Sequence, residues 1–132
     1  MILRIDHIGI AVKDVEEAVK IYTDALGLAV EDIEVVAHRH IKVAIIPVGE
    51  NRIELIQPMS PDIKLAKFLE EKGEGLHHLA LQVDDIEKVL EDLESKGVPL
   101  LDREPGIGTH QRRVAFLDPE ATKIRLELSE KK

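Results

Sequence analysis

The chain has no cysteine among its 132 residues. That absence removes disulfides, thiolate nucleophiles and sulfur-ligated metal centres together. It also lacks an apolar run long enough to cross a bilayer, and its N-terminus enters a strand-like pattern without the apolar core of a secretion signal. A cytoplasmic location with no membrane partner is therefore expected. Positive charge is scarce: 18 Lys and Arg stand against 26 Asp and Glu, for a formal net charge of −8. A general nucleic-acid binder needs a basic face to neutralise phosphates, so no nucleic-acid partner is expected. An anionic small molecule is still compatible, because a local basic loop overrules the net figure. Low-complexity tracts are few, and 44% hydrophobic with 33% charged residues describes a chain with a real core. A single domain over 1–132 is expected, since halves of this length are poorly stable alone.

What the sequence does contain is repetition, the signal to seek before any other. Asp6-His7-Ile8-Gly9-Ile10-Ala11-Val12 is echoed by His77-His78-Leu79-Ala80-Leu81-Gln82-Val83. Each copy runs into an acidic residue and a helical pattern, from Asp14 and from Asp85. Each half ends in an apolar–Glu–Leu step, Ile53-Glu54-Leu55 and Leu126-Glu127-Leu128. Strands are predicted at 3–12, 28–36, 41–48 and 52–57, with a helix over 15–26. Ser60-Pro61 reads as N-cap and first residue of a short helix through Lys72. The second half predicts strands at 76–83, 98–102, 113–117 and 123–128 and a helix over 85–96. The first strand is apolar on both faces, so cover on both sides is expected. The fold class is thus α+β, with two tandem βαβββ modules (about 1–58 and 74–129) forming a curled mixed sheet around a metal site.

Each half supplies one His near its start and one Glu near its end. His7, Glu54, His78 and Glu127 form a nitrogen and oxygen donor set suited to a divalent transition metal (Co, Mn, Ni, Fe or Zn) with positions left open for substrate. A lone strand histidine can instead be a satisfied core residue, and a Glu between apolar neighbours can lie on a solvated face. Recurrence at matched places in both repeats favours the metal. His77 alternates to the opposite strand face from His78 and reads as structural or as a support to the site. His110 sits in a Gly-rich loop near Arg103, Arg112 and Arg113, which would either steer an anion or serve as surface charge.

These residues carry a resemblance. His7-Ile8-Gly9-Ile10-Ala11-Val12, Ile53-Glu54-Leu55-Ile56-Gln57-Pro58, Lys67-Phe68-Leu69, Gly73-Glu74-Gly75-Leu76-His77-His78-Leu79-Ala80, Val114-Ala115-Phe116-Leu117-Asp118-Pro119 and Leu126-Glu127-Leu128 resemble the methylmalonyl-CoA epimerases. These belong to the vicinal oxygen chelate superfamily, with glyoxalase I and the bleomycin-resistance proteins as relatives. The resemblance implies paired βαβββ modules and a metal held at His7, Glu54, His78 and Glu127, the second of which is often Gln in the epimerases. It further implies an acyl-CoA substrate, a homodimer, and proton transfer by Glu127 and a second Glu ahead of the third strand. Alignment on Ile41-Lys42-Val43-Ala44 places His38 at that second position. An imidazole exchanges protons near neutral pH, so His38 either takes over the role or marks a different substrate. The segment from Gly108 to Arg113 and Asp118-Pro119-Glu120 also depart from the family pattern. The expected activity is a metal-dependent epimerisation of methylmalonyl-CoA. The rivals are a glyoxalase-I-like lyase of a thiohemiacetal and a non-catalytic protein that sequesters a ligand.

Overall fold

Asp14 and Asp85 each stand just past a strand and start a helix. In the computed structural model, which describes residues 1–131, both sit in extended backbone and accept from the amide three residues on, Glu17 at 3.3 Å and Lys88 at 3.2 Å. A helix N-terminus leaves amides without intrahelical partners, and a side-chain oxygen here satisfies one. The last strand of each repeat supplies another acceptor. Gln57 Oε1 accepts from the Val15 amide at 2.9 Å, and Glu130 Oε2 from the Ile86 amide at 3.0 Å. Gln57 and Glu130 each stand three residues beyond the repeated Glu, so the duplication reaches the capping chemistry.

Chain order is β1 (Ile2–Ala11), α1 (Val15–Lys20), β2 (Asp32–Val36), β3 (Ile41–Val48), β4 (Asn51–Pro58), α2 (Lys64–Lys72), β5 (Gly75–Val83), α3 (Ile86–Ser95), β6 (Gly106–Ile107), β7 (Arg113–Phe116), α4 (Pro119–Thr122) and β8 (Leu126–Glu130). The chain forms two compact units. One is Ile8–His77, and the other joins Met1–His7 to the described residues from His78 onward.

In the Ile8–His77 unit, β2, β3 and β4 pair antiparallel, with Ala44 opposite Leu55 and Ile45 opposite Glu54. The Val12 amide bonds the Ile56 carbonyl at 2.9 Å, tying the end of β1 to β4. Val15, Ala18 and Val19 of α1 pack with Val12, Ala44, Ile46 and Leu55, while Leu65, Phe68 and Leu69 pack with Ala11, Val43, Ile45 and Ile56. A strand covered on both faces reads as a continuous apolar run, which is why Val43-Ala44-Ile45-Ile46 shows no alternation.

In the other unit β5 runs parallel to β8, with Ala80 opposite Glu127, and β7 runs antiparallel to β8, with Phe116 opposite Glu127. Leu126, Leu128 and Val83 join Ile86, Val89 and Leu90 of α3 in its core. Strand alternation then turns Glu127 of β8 and His78 and Gln82 of β5 to the face away from α3. That face carries the site.

Several expectations are corrected. The α-helix from Val15 stops at Lys20 and continues as a π-helical turn over Ile21–Ala25, and β2 begins only at Asp32. The second helix begins at Lys64 rather than Pro61, because the Ser60 hydroxyl is engaged by the Asp62 amide in a turn. The strand expected at 98–102 is a single bridge, Leu100 to Leu117. The last strand starts at Leu126, after a helical turn capped by Asp118 with Pro119 at its first position. On β1, Ile2, Leu3, Ile5 and Ile8 remain exposed. Apolar alternation reports a strand face able to be covered, without saying by which chain.

Arg113 of β7 donates to both oxygens of Glu130, at 2.9 and 2.8 Å. Chiefly through this bond, the Glu130 carboxyl is held below its ordinary pKa. A depressed carboxyl pKa stabilises the fold above the unfolded value, about 4.3, and that stabilisation is lost as pH falls through the folded value. Glu130→Gln is therefore expected to lower the melting temperature at neutral pH, with the gap to wild type closing as pH falls below about 4. A gap that did not vary with pH, in thermal unfolding followed by circular dichroism, would contradict the role of the charge.

Candidate metal centre

β1, β5 and β8 each bring one side chain to the same point. His7 Nε2 lies 3.0 Å from His78 Nε2 and 3.1 Å from Glu127 Oε1. The imidazole planes are nearly perpendicular, with centroids 5.1 Å apart. His7 is 3% exposed and Glu127 6%, so little water competes for their lone pairs. His78 keeps some surface, yet desolvation of its ring lowers its pKa from 6.5 to about 4, with the Glu127 charge opposing the shift and His7 and Arg125 assisting it. His78 is therefore neutral near physiological pH, the form in which an imidazole binds a metal.

His7 is oriented from behind. Its Nδ1 lies 2.7 Å from Asp6 Oδ2. With Nδ1–H donated to that carboxylate, the Nε2 lone pair faces His78 and Glu127. Asp6 is itself 2% exposed. Its other oxygen accepts from Gln82 Nε2 at 3.1 Å and Arg112 Nη1 at 3.0 Å. Phe116 sets its ring edge-on to His78 at 5.8 Å. Its amide donates to Asp102 Oδ2 at 2.8 Å.

The donor set fits a divalent cation. One ligand atom from each of His7, His78 and Glu127 lies within 4.8 Å of the others. A carboxylate oxygen and imidazole nitrogens aimed at one spot repel unless a proton or a cation lies among them. Nitrogen and oxygen donors of this kind suit Co, Mn, Ni, Fe or Zn.

Of the residues expected at the site, the structure brings together His7, His78 and Glu127. Glu54 belongs to the Ile8–His77 unit, on β4, where it is 3% exposed and has Arg52 Nη2 3.6 Å from its Oε2. His38 lies in the same unit, exposed on the turn Ala37–Arg39 between β2 and β3. His77 packs edge-on against Phe68 at 4.8 Å. The loop arginines are engaged in ion pairs: Arg103 with Glu94, Arg113 with Glu87 and Glu130, and Arg112 with Asp6. His110 is half-buried in left-handed backbone.

Sequence reasoning missed Asp6, Gln82, Arg112 and Phe116. Gln82, four residues past His78 on the same strand face, was open to alternation. Asp6 was hidden by it, since neighbours in a strand point apart, although a histidine Nδ1 lies close enough to the backbone for an adjacent carboxylate to reach. Arg112 depends on a loop that periodicity does not describe.

The model of the Glyoxalase/Bleomycin resistance protein/Dioxygenase superfamily matches residues 6–116. An uncharacterized protein of Bacillus subtilis, YqjC, is 38% identical over 130 residues, covering 98% of this chain and 93% of that one. The ethylmalonyl-CoA/methylmalonyl-CoA epimerase of Cereibacter sphaeroides is 34% identical over 122 residues, 91% of each chain. A solved methylmalonyl-CoA epimerase in complex with methylmalonyl-CoA and ammonium superposes with a TM-score of 0.93 at 31% identity, over 98% of this chain and 95% of that one.

Added Co²⁺ or Mn²⁺ is expected to raise the melting temperature of the metal-free protein, increasingly with free metal, and a chelator to reverse the rise. His78→Ala is expected to abolish the shift. A shift that persists in His78→Ala would place the cation elsewhere.

Proposed function

The chain belongs to the glyoxalase/bleomycin resistance protein/dioxygenase superfamily as an isomerase of the epimerase type, and on that premise we propose that it is a metal-dependent epimerase of methylmalonyl-CoA. The observation that carries this reading is the convergence of His7 Nε2, His78 Nε2 and Glu127 Oε1, in a chain that matches epimerases acting on this class of substrate. The proposed ligands are His7, Glu54, His78 and Glu127, with repeats 1–58 and 74–129 acting as one catalytic domain.

The substrate's α-proton lies between a thioester carbonyl and a carboxylate. Its removal breaks the C–H bond, leaves the electron pair delocalised as an enolate, and places the proton on the enzyme. When bound, the divalent cation supplies positive charge next to the oxygens on which negative charge develops. His7 and His78 serve as neutral donors, and Asp6 keeps the first of them aimed. Burial of Glu127 makes charge interactions at this point stronger than in water. Inversion requires a base on each face of the α-carbon. Glu127 takes one role, and His38 the other on the strength of its alignment with the family's second glutamate. The exposed Ile2, Leu3 and Ile5 of β1 support a homodimer. The proposed setting is cytoplasmic.

Incubation of one methylmalonyl-CoA epimer in deuterium oxide tests the reading. Deuterium is expected to enter the α-carbon as the epimers equilibrate, and chelation to stop it. Glu127→Gln is expected to lower the rate by about 100-fold or more. His38→Ala is expected to stop inversion while one epimer still exchanges its proton. Unchanged inversion in His38→Ala would remove that residue from the mechanism. Turnover of a thiohemiacetal in place of the thioester would make the protein a lyase, and ligand binding without turnover or metal dependence a sequestering protein.

A further inference from the structure

The loop between β6 and β7 is built in an uncommon way. His110 and Gln111 both have positive φ, 53° and 57°. Two successive left-handed residues other than glycine are sterically costly, and such strain persists only where the surroundings hold it. Here the Gly108 amide bonds the Arg112 carbonyl at 2.8 Å and the Arg112 amide bonds the Thr109 carbonyl at 3.2 Å. A side chain at Gly108 would be a tight fit, since a Cβ there would lie 3.2 Å from Val114 Cγ1. The turn delivers Arg112 inward, its side chain 15% exposed, with Nη1 at 3.0 Å from Asp6 Oδ1.

We propose that Arg112 is a positioning residue of the metal centre: from the 108–112 turn it fixes the buried Asp6 carboxylate, which in turn holds the His7 imidazole with Nε2 directed at His78 Nε2 and Glu127 Oε1. Asp6 is almost wholly buried, and a buried carboxylate is retained as an anion only when paired and hydrogen-bonded. Arg112 supplies the compensating charge and Gln82 a further donor, while the other oxygen is directed to His7 Nδ1. A carboxylate behind a ligating imidazole fixes its tautomer and raises its basicity, and loss of such a partner typically costs 10–100-fold in metal affinity. The second repeat has His77 at the position of Asp6, so this support serves one of the paired histidines. The inference rests on the metal reading of the site and adds to it a residue outside the donor set.

The test uses the full-length protein, stripped of metal, and measures the Co²⁺ dissociation constant by competition with a chromophoric chelator. Asp6→Asn and Arg112→Gln are each expected to weaken Co²⁺ binding by about tenfold or more, and Arg112→Lys to recover part of the loss. Since Arg112 acts through Asp6, the Asp6→Asn/Arg112→Gln double variant should bind like Asp6→Asn alone. Nitrogen-15 spectra of the metal-free wild type should show His7 protonated at Nδ1. Folded Arg112→Gln with wild-type affinity, a double variant with additive losses, or His7 protonated at Nε2 would overturn the proposal. Wild type that binds no Co²⁺ would instead overturn the metal reading, and the tautomer still decides between a support role and none. If Asp6→Asn does not fold, Arg112→Gln against Arg112→Lys carries the decision.

Discussion

Two imidazole nitrogens and a carboxylate oxygen held close together with little water around them are the constraint on which the rest of the structure turns. His7 Nε2, His78 Nε2 and Glu127 Oε1 approach to about hydrogen-bond distance. Such a group repels unless a proton or a cation lies among the three atoms, because the burial that removes competing water also removes screening. Every neighbouring feature strengthens the arrangement. Desolvation keeps His78 neutral, Asp6 points the His7 lone pair inward, and Phe116 packs against the second imidazole.

The strands that carry these donors owe their placement to ordinary packing. On β8, Leu126 and Leu128 are drawn into the core beneath α3, and alternation then turns Glu127 to the other face. On β5, Leu79, Leu81 and Val83 do the same for His78 and Gln82. The apolar core thus aims the polar site. Repetition supplies the same scaffold twice, down to the Gln57 and Glu130 side chains that cap α1 and α3. The repeats then diverge in what surrounds each histidine: His7 has a carboxylate as its chain neighbour, while the residue before His78 is another imidazole, packed on Phe68.

Much of this was legible from the chain alone. The duplicated His and Glu, the Asp14 and Asp85 caps, the continuous apolar run in 41–48 and the alternating strand at 76–83 are local signals, and local signals survive folding. The βαβββ class and the superfamily were readable for the same reason. Less legible were features set by contacts distant in sequence. At Leu100 a bridge to Leu117 replaced a strand, with the Leu101 and Asp102 amides both turned onto the Phe116 carbonyl instead of continuing a ladder. The π-helical turn after Lys20 and the left-handed turn at His110 and Gln111 depend on how the chain is held at both ends. Asp6 and Arg112 lie 106 positions apart, and no periodicity connects them.

The most direct measurement is anomalous diffraction at the cobalt absorption edge from crystals grown with Co²⁺. A single strong peak is expected at ordinary coordination distance, about 2.0–2.2 Å, from His7 Nε2, His78 Nε2 and Glu127 Oε1 together. Crystals of the cobalt-treated protein with no peak at those three atoms, or with cobalt bound only at surface carboxylates, would contradict it.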